Sequence, residues 1–310
     1  MAHRQFDLIT LGTGAALPAR GRFPTAQLLI VHGEHYLIDC GEGTQERLRT
    51  AGAPFNRIGH IFISHLHGDH YLGLMGLISS MHLMGRTREL HVHGPKPLKE
   101  IIEVQLRASQ TYLRYPLTFH PTEPVSGTVA WHDSRVRVSL LALRHRIPCT
   151  GFLFEESMAP RPLIKAKLPL IPPSMRNRIK AGQDLQLPDG TWLPNSLLTT
   201  EPAPARRYAY CSDTAYAPEL IPFLEGVDLL YHEATFTRQL AKRARETMHS
   251  TAADAATMAR DAGARALLLG HFSSRYKSSV ELLNEAISIY PGALVSEDGA
   301  RYSVPERDAN

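Results

Sequence analysis

The sequence is poor in cysteine and lacks any long apolar run. Its three cysteines, Cys40, Cys149 and Cys211, lie far apart and outside any Cys-x-x-Cys pair. This spacing argues against a disulfide framework and favours a reducing compartment. No stretch reaches the roughly 18 uninterrupted apolar residues of a membrane helix, and the first residues lack the apolar core of a signal peptide. We therefore expect a cytoplasmic protein with no membrane span.

The chain also lacks a strong imbalance of charge. Its formal net charge is +4 and its pI is about 9.0. This excess tolerates a polyanionic partner without requiring one. A hydrophobic share of 43% and a charged share of 21% are ordinary for a globular protein. A chain of 310 residues can bury a large core in one big domain or two small ones.

Short apolar runs alternate with turns in the first half, and apolar runs alternate with helical patterns in the second. This alternation predicts a layered α/β domain. Predicted strands cover residues 6–11, 27–31, 36–38, 58–63, 135–143, 207–211, 229–232 and 266–269, and predicted helices cover residues 42–51, 72–84 and 251–262.

One segment breaks this pattern. Nine of the 22 prolines lie between Glu155 and Pro204, and so much proline is incompatible with the interior of a sheet or helix. Composition leaves two interpretations open, a disordered linker between domains and an inserted arm with a cationic face. Its cations, with no acidic residue among them, are Arg161, Lys165, Lys167, Arg176, Arg178 and Lys180.

The strongest chemical signal is the sequence SHLHGDH at residues 64–70, directly after the predicted strand 58–63. Imidazole and carboxylate groups together suit zinc and its neighbours. In an extended backbone the two rings of His-x-His point the same way, and the Asp-His that follows can serve a second ion. We favour a metal site over a loop of solvated side chains. The candidate ligands are His65, His67, Asp69 and His70.

Two ions need more ligands than one loop provides. His145, Asp213 and His271 each stand just past a predicted strand. Each alone is more often a capping or core residue than a ligand. Their shared position strengthens all three, because sites in layered α/β proteins gather at one edge of the strands.

Two further motifs have a catalytic character. HEATF at residues 232–236 ends a predicted strand, and HST at residues 249–251 opens the predicted helix 251–262. Capping of that helix by Ser250 or Thr251 is the structural interpretation of the second motif. His249, just before the cap, would still face the same edge.

Gly12 and Gly14 after the first strand, with Asp39 downstream, imitate a dinucleotide-binding fingerprint. That motif requires a helix immediately after the glycines. Pro18, Gly21 and Pro24 follow instead, so we reject this interpretation.

Together these residues resemble ribonuclease Z, the tRNA 3′-processing endonuclease of the metallo-β-lactamase superfamily. SHLHGDH alone marks only the superfamily, whereas HEATF, HST and HFSSRY in succession are far more specific. The resemblance spans nearly the whole chain, with motifs in family order: LGTGAALP near residue 11, DCGEGTQ at 39–45, SHLHGDH, HRIPCTGF at 145–152, SDT at 212–214, HEATF, HST and HFSSRY at 271–276.

The resemblance implies a four-layer αββα metallo-β-lactamase sandwich as a single domain over residues 1–310. Residues 155–205 would form a protruding, tRNA-binding arm inserted in it, and its six cations would contact the substrate. Arg275 would contact a backbone phosphate, although a structural ion pair is the alternative. A homodimer is also implied, although the apolar stretch 72–83 fits an intramolecular core equally well.

The resemblance also implies two zinc ions per subunit. His65, His67 and His145 would hold one ion, Asp69, His70 and His271 the other, and Asp213 would bridge them. The ions would activate a hydroxide for in-line attack on precursor tRNA. The products would be a tRNA with a 3′ hydroxyl and a trailer with a 5′ phosphate.

Three residues would act in catalysis under this resemblance. Asp69 would orient the hydroxide or act as general base, and His249, held by Glu233, would protonate the departing 3′ oxygen. The arm lacks the family's Gly-Pro signature, residues 22–26 differ from the usual Arg-Asn start, and Cys149 stands where serine is common. None of these departures touches a proposed ligand.

Two other functions are weighed against this one. A hydrolase of the same fold acting on a small phosphodiester or ester would explain the ligands but not the cationic insert. A non-catalytic RNA-binding subunit should have lost ligands, and all seven are present. Metal analysis separates the second, because a degenerate site should copurify with little zinc.

Overall fold

A computed structural model describes residues 5–307 of the chain. Within them the fold divides into two compact units, which are described separately. The larger unit comprises residues 5–155 and 207–305, and the smaller comprises residues 156–206 with residues 306–307.

The strands are numbered in chain order. They are β1 (Phe6–Gly12), β2 (Ala26–Val31), β3 (Glu34–Ile38), β4 (Ile58–Phe62), β5 (Leu90–Pro95), β6 (Leu117–Thr122), β7 (Val129–His132), β8 (Val136–Leu143), β9 (Cys149–Glu156), β10 (Leu185–Gln186), β11 (Trp192–Leu193), β12 (Arg207–Cys211), β13 (Leu229–Glu233), β14 (Leu267–Gly270), β15 (Ala293–Val295) and β16 (Arg301–Ser303).

The α-helices are numbered in the same way. They are α1 (Thr44–Thr50), α2 (Gly68–Tyr71), α3 (Leu74–Leu83), α4 (Pro97–Ala108), α5 (Arg176–Lys180), α6 (Ile221–Leu224), α7 (Ala241–Thr247), α8 (Ala252–Asp261) and α9 (Val280–Ile287). The predicted helix 251–262 corresponds to α8, which is capped by Thr251 in a capping box with Asp254.

Two seven-stranded sheets form the larger unit. The first has the order β16-β1-β2-β3-β4-β5-β6, and the second has the order β15-β14-β13-β12-β9-β8-β7. Strands β3 to β6 run parallel to one another in the first sheet, and β12 to β15 run parallel in the second. Parallel neighbours end at the same edge, so residues that follow them come together there.

The sheets pack face to face, and each carries helices on its outer side. An inner core joins Phe62 of the first sheet to Phe152 and Tyr210 of the second. The outer core of the first sheet includes Leu77 on α3, and that of the second includes Ala256 on α8. These layers confirm the predicted αββα sandwich.

A group of histidines takes part in the inner core of the larger unit. His60 and His93 are buried, and the His60 Nδ1 atom lies 3.3 Å from His93 Nε2. His91 Nδ1 lies 3.1 Å from His120 Nε2. Trp131 on β7 packs against the rings, with its centroid 4.3 Å from that of His60. We call residues 60, 91, 93 and 120 the histidine layer.

The smaller unit has a hydrophobic cluster of its own, which includes Ile171, Ile179, Leu185 and Leu198. Helix α5 and the hairpin β10–β11 contribute to it. A buried ion pair joins Arg206 Nη2 to Glu156 Oε1 at 2.9 Å. An ordered cluster of this kind differs from a disordered linker, one of the two interpretations left open by composition.

Among residues 5–307, no helix is both long and apolar enough to cross a membrane.

Candidate metal centre

The ends of parallel strands position the candidate ligands. Residues 63–67 follow β4, Asp213 follows β12, and His271 follows β14. His145 lies in the connection between β8 and β9. The structure thus brings side chains that are far apart in sequence to one edge of the sandwich.

The first ligand group contains three histidines. His67 Nδ1 lies 3.0 Å from His65 Nε2 and 3.1 Å from His145 Nε2. Asp213 Oδ2 lies 3.5 Å from His65 Nε2 and 3.8 Å from His145 Nε2. These four atoms lie within 4.8 Å of one another, which is the spacing of ligands around one ion.

The second ligand group lies on the other side of Asp213. Asp213 Oδ1 is 3.2 Å from His70 Nε2 and 3.1 Å from His271 Nε2. Asp69 Oδ2 is 3.6 Å from His70 Nε2 and 3.5 Å from His271 Nε2. Because its two oxygens face different groups, Asp213 has the geometry of a bridging carboxylate.

The donor set fits a pair of divalent ions. His70 Nε2 and His271 Nε2 are buried and make no hydrogen bond, although Asp213 Oδ1 is near both. Their lone pairs can therefore converge on a shared point rather than on a protein donor. Neutral imidazoles and carboxylates are the ligands of zinc and similar transition metals.

The charges around His70 fit the same conclusion. Burial opposes protonation of this ring, yet Asp213, Asp39 and Asp69 raise its pKa well above 6.5. The three carboxylates thus stabilise a positive charge at the His70 ring. A proton on this ring and a metal ion bound to it would compete for that position. By contrast, burial and the nearby His70 lower the pKa of His65 to about 2, so this ring is neutral.

The carboxylate of Asp213 stays ionised in this environment. Burial alone would raise its pKa, but His271 and His70 hold that pKa well below its usual range. A metal ligand must be deprotonated, so this arrangement suits coordination.

Most ligand histidines have a partner on the ring nitrogen that faces away from the group. His145 Nδ1 lies 3.0 Å from the Met248 carbonyl oxygen, and His271 Nδ1 lies 3.0 Å from Thr235 Oγ1. Such outer contacts fix ring orientation and leave the other nitrogen free for a metal.

Asp39 is the most connected of these outer partners. Its carboxylate lies 2.7 Å from His70 Nδ1 and accepts hydrogen bonds from the Ser64 amide at 2.8 Å and the Tyr210 hydroxyl at 2.6 Å. Sequence reasoning missed this role for Asp39, Ser64, Tyr210 and Thr235. A signal existed for Asp39, which follows β3 at the same edge as the loop after β4.

Three of these strand-end residues have left-handed backbone conformations. The φ angles of Asp39, Asp213 and His271 are 55°, 43° and 56°. A non-glycine residue in this region costs on the order of 1 kcal/mol and commonly marks a functional site. These strained conformations lower the stability of the fold, but they direct the three side chains towards the candidate metal centre.

His249 and Glu233 form a pair beside the two ligand groups. His249 Nδ1 lies 2.8 Å from Glu233 Oε1, and Glu233 also accepts from the Thr214 amide at 2.6 Å. Burial disfavours the charged ring, but Glu233 raises the pKa of His249 to about 9. His249 also lies within 4.8 Å of Asp213 and His271, atom to atom.

A cavity of about 520 Å³ opens over the ligands. Asp69, Asp213, His249 and His271 line it. Arg275 lines it too, with its guanidinium 5.1 Å from the centre of the Phe236 ring and its Nε donating to Ser273 Oγ at 2.9 Å. Arg275 makes no ion pair with any of residues 5–307. The alternative role considered from the sequence, a structural ion pair, is therefore not seen among these residues.

The cations of the smaller unit differ in their surroundings. Arg161 forms a two-pronged ion pair with Glu201, in which Nη1 donates to Oε2 at 2.9 Å. The absence of acidic residues within 161–180 therefore does not leave all six cations unpaired. Arg176 is half-buried, and the exposed members are Lys165, Lys167, Arg178 and Lys180.

The comparisons with known proteins agree with this geometry. Residues 184–272 match the family described as "Beta-lactamase superfamily domain", and residues 6–160 match the family described as "Anti-Pycsar protein Apyc1". Ribonuclease Z of Bacteroides thetaiotaomicron is 46% identical over 95% of this chain and 94% of that protein. Ribonuclease Z of Porphyromonas gingivalis strain W83 is 44% identical over 96% of this chain and 98% of that protein.

A solved structure gives the same answer at lower identity. The crystal structure of the short form of human tRNase Z matches with a TM-score of 0.70 and 27% identity, over 96% of this chain and 99% of that chain. With relatives above 40% identity along nearly the whole sequence, the chain belongs to the ribonuclease Z family of the metallo-β-lactamase superfamily.

Proposed function

We propose that this protein is a zinc-dependent endoribonuclease that removes the 3′ trailer from precursor tRNA. The observation that carries the proposal is the pair of ligand groups joined by Asp213 beneath an open cavity, in a chain related to ribonucleases Z. Cleavage would leave a 3′ hydroxyl on the tRNA and a 5′ phosphate on the trailer.

The metal ligands follow from the two groups. His65, His67 and His145 would hold one zinc ion, Asp69, His70 and His271 a second, and Asp213 would contact both. When bound, two such ions supply a hydroxide nucleophile at neutral pH and neutralise charge on the phosphoryl oxygens.

Asp69 would orient the attacking water or accept its proton. Its Oδ2 atom already accepts the Ala16 amide at 2.7 Å, which fixes the carboxylate at the cavity wall. Burial opposes ionisation, but His70 and His271 hold the pKa of Asp69 below its usual range. The group is therefore a carboxylate at neutral pH, as either role requires.

His249 would donate a proton to the departing 3′ oxygen. The ring lines the cavity, and Glu233 holds its Nδ1, which leaves Nε2 for the substrate. A pKa of about 9, raised by Glu233 against the effect of burial, keeps the ring protonated at neutral pH. Proton donation to a poor leaving group is worth roughly 100-fold or more in rate.

Exposed cations would bind the RNA backbone. Arg275 stands at the cavity, and its stacking on Phe236 orients the guanidinium for a phosphate. The exposed cations of the smaller unit, with Arg176, would bind other phosphates of the tRNA. Arg161 would contribute less, because Glu201 already occupies its guanidinium.

The proposal is tested by incubating the purified protein with end-labelled precursor tRNA and mapping both product ends. A 3′ hydroxyl on the tRNA fragment and a 5′ phosphate on the trailer are expected, and chelation of the metal should abolish both. Turnover of a small diester without turnover of precursor tRNA would instead identify a small-molecule phosphodiesterase.

Metal content is measured on the same preparation. Two zinc ions per chain are expected, and one or none would contradict the shared role of Asp213. The homodimer implied by the resemblance stays a prediction, to be checked by sedimentation.

A further inference from the structure

Two arginines other than Arg275 line the cavity over the candidate metal centre. They are Arg146, in the connection between β8 and β9, and Arg243, on α7. Glu42 is the one acidic residue among the described lining residues that does not belong to the ligand groups. The rim of the cavity is therefore cationic beyond what the ligands require.

Arg146 has no protein role that accounts for its charge. It is exposed, and no residue among 5–307 forms an ion pair or hydrogen bond with its guanidinium. Arg144, two residues earlier, differs: its guanidinium forms an ion pair with Glu219 and donates to the Tyr216 carbonyl oxygen at 3.5 Å. Of these two arginines, only Arg146, which lines the cavity, has a guanidinium that is free to bind a ligand.

Arg243 is also available to a ligand. Its partner is Glu246, with Nη1 and Oε2 3.7 Å apart and both side chains about half exposed. A solvated pair of this kind contributes at most about 1 kcal/mol and is readily exchanged for a better acceptor.

A hydrogen bond joins the two backbone segments that carry these arginines. Helix α7 ends at Thr247, and the capping residue Met248 that follows has a left-handed φ of 58°. The Met248 carbonyl oxygen lies 3.0 Å from Nδ1 of His145, the residue before Arg146. The backbones that carry Arg146 and Arg243 are thus both fixed against the same ligand.

We propose that Arg146 and Arg243 bind phosphates of the RNA chain next to the scissile phosphate. The inference rests on the proposed function and adds a substrate-positioning site to it. Guanidinium groups bind phosphate oxygens in a two-pronged manner, which fixes direction as well as position. With Arg275 on the side of His271, the two arginines would hold the strand across the ligand groups.

The test compares Arg146→Gln, Arg243→Gln and the double variant with Arg144→Gln as a matched control. All single variants lose one positive charge, but the control loses it outside the cavity lining. Precursor tRNA cleavage is measured over a range of salt concentrations, and hydrolysis of bis(p-nitrophenyl) phosphate and zinc content are measured alongside.

We expect each cavity variant to lose roughly tenfold in kcat/KM on precursor tRNA, mainly through KM. The slope of log affinity against log salt should fall by about one per arginine removed. Small-diester hydrolysis and zinc content should match those of the unaltered protein. The control should change neither slope nor KM.

Equal effects of Arg146→Gln and Arg144→Gln would overturn the inference, as would a loss in kcat with an unchanged salt slope. If the unaltered protein fails to cleave precursor tRNA at all, the proposed function itself falls. The two failures are therefore distinguishable.

Discussion

The two candidate ligand groups and the smaller unit of residues 156–206 present their functional side chains in opposite ways. The carboxylate of Asp213, a candidate ligand, is buried, lies between two groups of histidines and has a strained backbone. Lys165, Lys167 and Lys180 are exposed to solvent. One region depends on exact geometry, whereas the other supplies charge over a surface.

This difference governs how each region should respond to change. A buried ligand has no substitute, because its neighbours are left unpaired when it is removed. An exposed cation is one of several that can contact RNA phosphates. The loss of any one of them should weaken RNA binding by a similar, small amount. Substitutions should therefore act steeply in the first region and gradually in the second.

The largest effect is expected for Asp213→Ala. Removal of the carboxylate shared by both groups should reduce cleavage of precursor tRNA by about three orders of magnitude or more, because the proposed two-metal activation would supply several kcal/mol. Folding should largely survive, as judged by circular dichroism and thermal unfolding. Activity and zinc content are measured together.

Asp213→Asn separates charge from backbone strain in this experiment. Asparagine tolerates the left-handed φ of 43° better than alanine does. Asp213→Asn should therefore unfold at a higher temperature than Asp213→Ala, yet be just as inactive. Near-normal cleavage by either variant with full zinc content would show that the two groups do not share a carboxylate.

A smaller effect is expected for His249→Ala. If His249 has the proposed role, the variant should keep the metal content of the unaltered protein and bind tRNA, but lose roughly 100-fold in turnover because the leaving oxygen would no longer be protonated. A nitrophenolate leaves readily without a proton, so hydrolysis of bis(p-nitrophenyl) phosphate should suffer much less. The ratio of the two losses is the quantity to measure.

Glu233→Gln provides the matching variant for this pair. It keeps the shape of the side chain but weakens its hydrogen bond to the His249 ring. Its loss of turnover should again be larger on precursor tRNA than on bis(p-nitrophenyl) phosphate, but both losses should be smaller than in His249→Ala. Equal losses on both substrates in His249→Ala would give this histidine a role in positioning instead of proton transfer.

The gentlest effect is expected from the smaller unit. Replacement of residues 158–200 by a short Gly/Ser linker retains the buried pair of Glu156 and Arg206. Hydrolysis of a small diester should remain almost intact, because every proposed ligand lies in the larger unit. Precursor tRNA should bind more weakly, with a flatter salt dependence.

Single substitutions sharpen this result. Lys180→Gln should reduce the salt slope by about one if that lysine meets a phosphate, whereas Arg161→Gln should leave the slope nearly unchanged because Glu201 neutralises Arg161. An unchanged affinity and slope after replacement of the whole segment would remove this unit from the binding surface.

The layered α/β character could be predicted from local sequence patterns, whereas the four-layer sandwich was implied only by the family resemblance. Residues 6–11 and 58–63 read as strands, and SHLHGDH follows the second one directly. The short strands β15 and β16 were not predicted, since three residues carry too little periodicity to detect. Strand β6 was also missed, because Pro121 interrupts its pattern.

Partners at a distance could not be predicted at all. Tyr210 reads as an ordinary strand residue, and only the packing of the two sheets brings its hydroxyl to Asp39, 171 positions away. The pairing of Arg161 with Glu201 likewise joins residues 40 positions apart. The sequence shows which groups are present, but the fold decides which of them neutralise each other.

The histidine layer makes the inner core vulnerable to acid. Burial, aided by His91, lowers the pKa of His60 to about 3, and burial with His120 lowers that of His93 to about 2. Both rings bind a proton more readily in the unfolded chain, whose histidine pKa is about 6.5. Their contribution to stability is therefore complete above pH 6.5 and is lost as the pH falls towards the folded values.

At pH 5 each of these two rings should cost roughly 2 kcal/mol relative to neutral pH, a large part of a typical folding free energy of about 5–15 kcal/mol. Urea unfolding at pH 7 and pH 5, in one metal state, measures this loss. His93→Phe should reduce it by about the share of one ring, while an unaltered pH dependence would mean that His93 does not set it. A hydrophobic core built partly from imidazole thus gives this fold a lower pH limit that an all-aliphatic core would lack.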